Sequence, residues 1–210
     1  MKMDSNGNSW IAISEFHQQS YCEVQLEFKW KGIRIETEEM KKGSLIHNKK
    51  FKTFEEETKG LEEVDIVNAI KRAIEKEEKF SGREVFVISP TFRLFGVIDS
   101  IKIGPEGIII TDDKPSNYAY LSEKSQVLGY AIAFKDKYRP DLDIFMRIKN
   151  RDTGDLVWED VLTQDWVDFM QEKINRLHEL ALGKREFEPT KNPKKCLACS
   201  YNKICKKKVC

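Results

Sequence analysis

The sequence predicts a single α/β domain, and three observations predict it. Short β-rich runs alternate with amphipathic helical stretches along the chain. A length of 210 residues with 40% hydrophobic and 34% charged composition suits one core and leaves two cramped. No internal repeat or low-complexity linker divides the chain, so residues 1–210 are expected to form one unit.

Each element has a local cause. Residues 1–9 are polar, lack the apolar stretch of a secretion signal, and are expected to be disordered. Ser14 offers an N-cap beside apolar Ile13 and Phe16. Ser20 and Glu23 fit the capping box S-x-x-E, which puts Cys22 in the first turn of a helix running toward Trp30. Leu61, Val64, Val67, Ile70 and Ile74 recur at helical spacing and predict an amphipathic helix over 61–79. A meander follows, with strands over 84–89, 92–99, 101–103 and 107–112 broken by Ser89-Pro90 and Gly104-Pro105-Glu106-Gly107. After Pro115 come a helix over 119–135, two strands over 143–148 and 156–161 bridged by Asp152-Thr153-Gly154-Asp155, and a last helix over 164–182. No apolar run approaches the roughly 18 to 20 residues of a membrane span, so a cytoplasmic protein is expected.

Two groups of residues carry chemistry. Four of five cysteines fall in the last fifteen residues, Cys196, Cys199 and Cys205 as C-x2-C-x5-C, then Cys210. A two-residue gap lets two sulfurs turn toward one centre, which points to a metal or iron-sulfur site. Its fourth thiolate is Cys210 or the distant Cys22, and the latter choice would tie the two termini together. The surrounding segment 189–210 holds seven lysines and no acid, a distribution suited to a polyanion, although the whole chain carries only +1.

The second group lies at strand ends. Gly96-Val97-Ile98-Asp99 closes one strand and Asp112-Asp113-Lys114 the next, so antiparallel pairing brings Asp99 beside Asp112. Two neighbouring carboxylates repel unless a hard divalent cation lies between them. Lys114, two residues after Asp112, shares its side-chain direction, and an ammonium there can orient water and steady developing phosphoryl charge. Asp113 leaves two carboxylates for one role, and strand alternation favours Asp112. Gln126 and Tyr130, four apart on the following helix, face the same way. Gly43-Ser44-Leu45-Ile46-His47 supplies an imidazole able to join an oxygen-rich metal site, whereas His17 and His178 read as surface or hydrogen-bonded residues. Trp30, Tyr118, Tyr120 and Trp166 are candidates for base stacking, with most of them expected in the core.

In order, Cys22, the G-x-x-x-H ending in His47, G-V-I-D ending in Asp99, D-D-K at 112–114, Q-x-x-x-Y from Gln126 to Tyr130 and the terminal C-x2-C-x5-C resemble the RecB-like iron-sulfur nucleases of the PD-(D/E)xK superfamily. Within that group the chain is most similar to the small CRISPR-associated exonucleases that partner the spacer-integration complex. The resemblance implies a restriction-endonuclease-like core with a mixed sheet flanked by helices, and a cysteine module joining the N-terminal helix to residues 189–210. It implies that Asp99 and Asp112, with His47 and the Asp113 carbonyl, hold Mn2+ or Mg2+. Lys114 would be catalytic, Gln126 and Tyr130 would position the scissile strand, and Cys22, Cys196, Cys199 and Cys205 would hold a 4Fe-4S cluster. The implied activity is hydrolysis of single-stranded or frayed DNA in processing spacer precursors, alongside the spacer-integration proteins; a homo-oligomer is compatible with it. Two departures stand out: aspartate at 112 where many relatives carry glutamate, and Pro115 directly after the lysine. The rival readings are a zinc-stabilised DNA-binding module, a non-catalytic adaptor for DNA ends, and a repair or replication nuclease of the same superfamily.

Overall fold

The structure, a computed structural model, describes the chain except residues 1, 6, 60, 61 and 63 and the side chains of Lys2, Glu39 and His47. In chain order its elements are β1 (Lys2–Met3), β2 (Ser9–Ala12), α1 (Glu15–Tyr21), α2 (Glu23–Trp30), α3 (Glu38–Glu57), α4 (Ile66–Lys76), β3 (Phe80–Ser89), β4 (Leu94–Gly104), β5 (Gly107–Lys114), α5 (Leu121–Tyr138), β6 (Ile144–Asn150), β7 (Leu156–Val161), α6 (Gln164–Ala181) and α7 (Pro193–Leu197).

The strands form one mixed sheet in the order β1-β2-β4-β5-β6-β7, with β3 also on β4. Strand β4 pairs antiparallel with β3 along one edge, from Phe80↔Ile103 to Ser89↔Leu94. Its other edge is shared. β5 pairs with it antiparallel from Gly104↔Gly107 to Ser100↔Thr111, and β2 pairs with it in parallel only at Leu94 and Phe95. Strands β5 and β6 run parallel, so a crossover must join them, and α5 is that crossover. The tight turn into β5 depends on Gly107, at φ +137°, where a Cβ would meet the Phe145 ring at 2.6 Å. Pro115, with no N–H to give the ladder, follows the last residue of β5.

Helix α5 is the centre of the core. It is buried on most of its circumference, as expected of a helix covered on both sides. It packs against the sheet, including β3 and β6, and against α1. Alternation explains the sheet face it covers: Ile108 and Ile110 of β5 and Ile144, Met146 and Ile148 of β6 are buried at two-residue spacing.

Several expectations need correction. Residues 2–3 form a strand antiparallel to the start of β2, so the N-terminal segment expected to be disordered instead extends the sheet. The capping box at Ser20 does not form, because Ser20 lies inside α1, where its hydroxyl bonds Ser125 (3.1 Å) and takes a bond from Lys173 (3.0 Å). Cys22 instead sits at the break between α1 and α2, in extended backbone. The segments 92–99 and 101–103 are one strand, β4. Helix α4 begins at Ile66, with Asp65 accepting from Asn68 N (3.0 Å); Leu61, expected to open this helix, lies outside the described residues. The twenty-residue α3 was not anticipated: its sequence is too polar for an apolar stripe, and its local signals are the Thr37 cap on Met40 N and the Glu38–Lys41 pair.

Gly129 of α5 tests the α1 contact. A Cβ there would sit 2.9 Å from the Phe16 ring and 3.0 Å from Ile13, both fully buried. Helix propensity alone favours Gly129→Ala by about 1 kcal/mol. Overpacking of this kind costs about 1–3 kcal/mol. The variant should therefore have a lower urea midpoint than the wild type; an equal or higher midpoint would mean that α1 yields.

Candidate active site

The site forms where β5 peels away from β4. Continuing the register past Ser100↔Thr111 would set Asp99 opposite Asp112, but the ladder stops one residue short. Asp99 Oδ2 instead accepts a hydrogen bond from the backbone N–H of Asp113 (2.9 Å), so a side chain takes over where the backbone pairing ends. Asp99 and Asp112 are both buried, and their carboxyls interact. Burial drives the Asp112 carboxyl well above the usual carboxylate range; the Lys114 ammonium pulls it back and the Asp99 charge adds to the rise.

Lys114 completes the group. Its Nζ lies 2.9 Å from Asp112 Oδ2 and donates to Gln126 Oε1 at 3.1 Å. Gln126 Nε2 in turn donates to Tyr130 Oη at 3.1 Å. Burial is the largest influence on the Lys114 pKa and would lower it, but the charge and hydrogen bond of Asp112 together with the charges of Asp99 and Glu123 outweigh it, so the lysine stays an ammonium. The Tyr130 phenol is pushed up, first by burial and then by Asp112, and stays protonated. The structure thus joins Asp99, Asp112, Lys114, Gln126 and Tyr130, with Gln126 and Tyr130 on one face of α5 as the four-residue spacing requires.

The remaining expected members fare differently. The carboxylate of Asp113 turns away from this group, toward Lys50 of α3, whose Nζ lies at 2.8 Å, and Arg83 of β3, whose Nη2 lies at 3.5 Å. His47 falls within α3, but its side chain lies outside the described residues. His178 is hydrogen-bonded, to Ser9 Oγ (2.7 Å) and Phe92 O (3.0 Å), as read from the sequence. His17 is half-buried and, unlike a surface residue, feels the site: burial, then the charges of Lys114 and Lys195, lower its pKa to about 4 and hold the ring neutral. Sequence reading missed Glu84, which sits in left-handed backbone (φ 52°) at the break in the β3–β4 register between Arg83↔Ser100 and Val85↔Ile98, the place across from Asp99. Such strain in a non-glycine residue collects at functional sites, and only the register reveals its neighbour.

Asp112 Oδ2 is buried and accepts no well-aligned hydrogen bond among the described residues, its 2.9 Å approach to Lys114 being an ion pair off the hydrogen-bond direction. A buried carboxylate oxygen of this kind beside a second carboxyl fits a hard divalent cation. Among the described residues, however, no three His, Cys, Asp or Glu side chains are gathered to hold a metal ion.

The cysteines gather at a separate cavity. Cys22, Cys196, Cys199 and Cys205 line one small cavity with Tyr21, and Cys210 is exposed outside that lining. The N-terminal helices and the tail meet around it. Tyr21 Oη donates to Lys195 O (2.7 Å), Thr190 N to Cys22 Sγ (3.3 Å), and Gln25 Nε2 to Cys199 Sγ (3.2 Å). Phe28 stacks on Tyr201 at 4.9 Å with planes 3° apart. The four thiols therefore share a cavity, yet they are not drawn in as a metal-holding set.

No curated protein matches the sequence. Among solved structures, a protein from Eubacterium rectale provisionally named an exonuclease is similar in fold, with 14% identity and a TM-score of 0.53 over 100% of this chain and 97% of that one. The crystal structure of SSO0001 aligns at 13% identity with a TM-score of 0.48, over 100% of this chain and 90% of that one. The family model of the PD-(D/E)XK nuclease superfamily matches residues 26–206, a span that contains the forked strands, both aspartates and the lysine. The chain belongs to the PD-(D/E)XK nuclease superfamily.

Proposed function

We propose that this nuclease is a metal-dependent DNA exonuclease acting on single-stranded or frayed ends, with an iron-sulfur cluster bracing its termini. The observation that carries the reading is the joined set Asp99, Asp112, Lys114 and Gln126 at the fork of β4 and β5. Asp99 and Asp112, with His47 and the Asp113 carbonyl, would hold Mg2+ or Mn2+. Such an ion, when bound, lowers the pKa of water and neutralises charge on the phosphodiester.

The chain's own groups do the rest. The Lys114 ammonium sits where negative charge develops on the phosphoryl oxygens and stabilises it. Gln126 fixes Lys114 through its carbonyl and is itself fixed by Tyr130, so the lysine reaches the transition state without reorganising. Tyr118 and Tyr120, exposed and edge to face at 5.1 Å on the segment after Lys114, offer rings on which unpaired bases can stack. Trp30 and Trp166 are engaged elsewhere, with Phe187 and with Trp158 and Phe169.

The shared cavity of Cys22, Cys196, Cys199 and Cys205 supports a 4Fe-4S cluster at the junction of the termini. The ordered motifs from Cys22 to Cys205 support a role in trimming spacer precursors beside the CRISPR integration proteins. The test is whether purified integration complex binds the enzyme and sets a fixed product length; a repair or replication nuclease would show neither.

Asp99→Asn, Asp112→Asn and Lys114→Ala should each lower Mn2+-supported cleavage of labelled single-stranded DNA by about a hundredfold to a thousandfold. Asparagine is chosen at Asp112 because it keeps the shape and hydrogen-bonding capacity of the side chain. It and Lys114→Ala each leave one partner of a buried ion pair, which can cost about 3–5 kcal/mol of stability, so the fold of each variant is checked by its urea midpoint. Binding in Ca2+ should persist in all three. Wild-type rates in the double Asp99→Asn, Asp112→Asn variant would defeat the catalytic assignment. Tight end binding without cleavage in any metal would favour the adaptor.

Anaerobically purified protein should be brown and contain iron. Cys205→Ala should bleach it and Cys210→Ala should not, because Cys205 lines the cavity and Cys210 does not. Zinc in place of iron would replace the cluster with a mononuclear thiolate site.

A further inference from the structure

The face of the sheet turned away from α5 carries the odd-numbered residues of β5 and β6, among them Thr111, Asp113, Arg147 and Lys149. Helix α3 borders this face, and a cleft of about 750 Å³ runs between them. The cleft is basic. Lys50, Arg83, Lys102, Lys149 and Arg151 line it against Asp113, Glu57 and Asp152. It reaches Asp113, the residue between Asp112 and Lys114, on the face of β5 opposite to their side chains.

The Asp113 end is built for an oxyanion. Lys50 Nζ and Arg83 Nη2 converge on one carboxylate oxygen, Asp113 Oδ2, at 2.8 and 3.5 Å. The Arg83 side chain is only 16% exposed, and its Nε is buried without a partner among the described residues. A guanidinium presents its donors as a fork that matches phosphate oxygens, and a buried donor left unpaired is costly. An incoming phosphate can take both Nη2 and Nε, which the single oxygen of Asp113 does not. Further along, Lys102 and Lys149 have no ion-pair partner among the described residues.

We propose that this cleft binds the sugar–phosphate backbone of the substrate strand. Lys50 and Arg83 exchange the Asp113 carboxylate for a backbone phosphate across β5 from Asp112 and Lys114, and Lys102 and Lys149 hold phosphates further out. The volume suits a stretch of one strand. The identity of the ligand rests on the nuclease reading above, and the residues and the path are new to it.

The test is fluorescence anisotropy with a labelled single-stranded oligonucleotide in Ca2+ across a salt series. Hydrolysis of bis(p-nitrophenyl) phosphate in Mn2+ is measured in parallel, because that small diester does not span the cleft. The K102Q/K149Q double variant should weaken binding and lower the salt slope by about 1.4, roughly 0.7 for each single-strand phosphate that is no longer neutralised. Its hydrolysis of the small diester should match the wild type. Arg83→Gln should weaken binding about tenfold at low salt, the worth of one charge-assisted hydrogen bond. Lys102 is exposed, so the double variant remains informative if Arg83→Gln fails to fold. Wild-type affinity and slope in K102Q/K149Q, in a protein that does bind and cut DNA, would overturn the cleft while leaving the nuclease reading intact. Failure of the wild type to bind or cut any DNA would overturn both.

Discussion

The fork in β4 is the constraint on which the rest depends. One edge of this strand serves two partners, β5 near its C-terminal end and β2 at its start, so residues between Phe95 and Ser100 have no ladder on that side. Unpaired backbone at such a place must be satisfied by something else. Asp99 supplies it by accepting from Asp113 N, and in doing so is fixed beside Asp112. The irregularity that interrupts the sheet is therefore also what assembles the acidic pair, and the strained backbone of Glu84 lies opposite it on β3.

Charge is balanced on both sides of this point. Toward α5, Asp112 is buried against Lys114, and the lysine is braced through Gln126 to Tyr130. Toward α3, Asp113 is shared by Lys50 and Arg83. Strand alternation thus divides two adjacent carboxylates between two faces of one sheet. One face holds a buried ion pair whose neighbour is a central helix, and the other holds an accessible cleft of opposite charge to its expected ligand. Because α5 joins the two parallel strands β5 and β6 and is packed on the other side by α1, the face that holds Asp112 and Lys114 is the more enclosed of the two.

The second organising contact is between the termini. Tyr21, Cys22, Gln25 and Phe28 meet Lys195, Thr190, Cys199 and Tyr201, so segments from opposite ends of the sequence enclose one cavity. These contacts hold the short α7 and the lysine-rich tail onto α1 and α2. They also bring Lys195 near enough to His17 to help keep its ring neutral, which links the tail electrostatically to the vicinity of Lys114.

Sequence alone determined the elements whose signals are local. The meander, its glycine turns, the helix that follows Pro115 and the final hairpin and helix were legible because period-two alternation, caps and turn residues act over a few positions. The motifs Asp99, Asp112-x-Lys114 and Gln126-x-x-x-Tyr130 were legible for the same reason, and alternation alone separated Asp112 from Asp113. What required the tertiary structure was whatever depends on contact between distant segments. Helix α3 has too little apolar periodicity to announce itself and is recognised by what it faces, through Lys50 on Asp113. The short β1 exists only because β2 pairs with it, and β2 in turn because β4 leaves part of an edge free. The place of Glu84 and the surroundings of His17 follow from register and packing, as does the meeting of Cys22 with Cys196, Cys199 and Cys205, which spacing had already favoured over Cys210. Local chemistry fixes which residues can act, and long-range packing decides which of them meet.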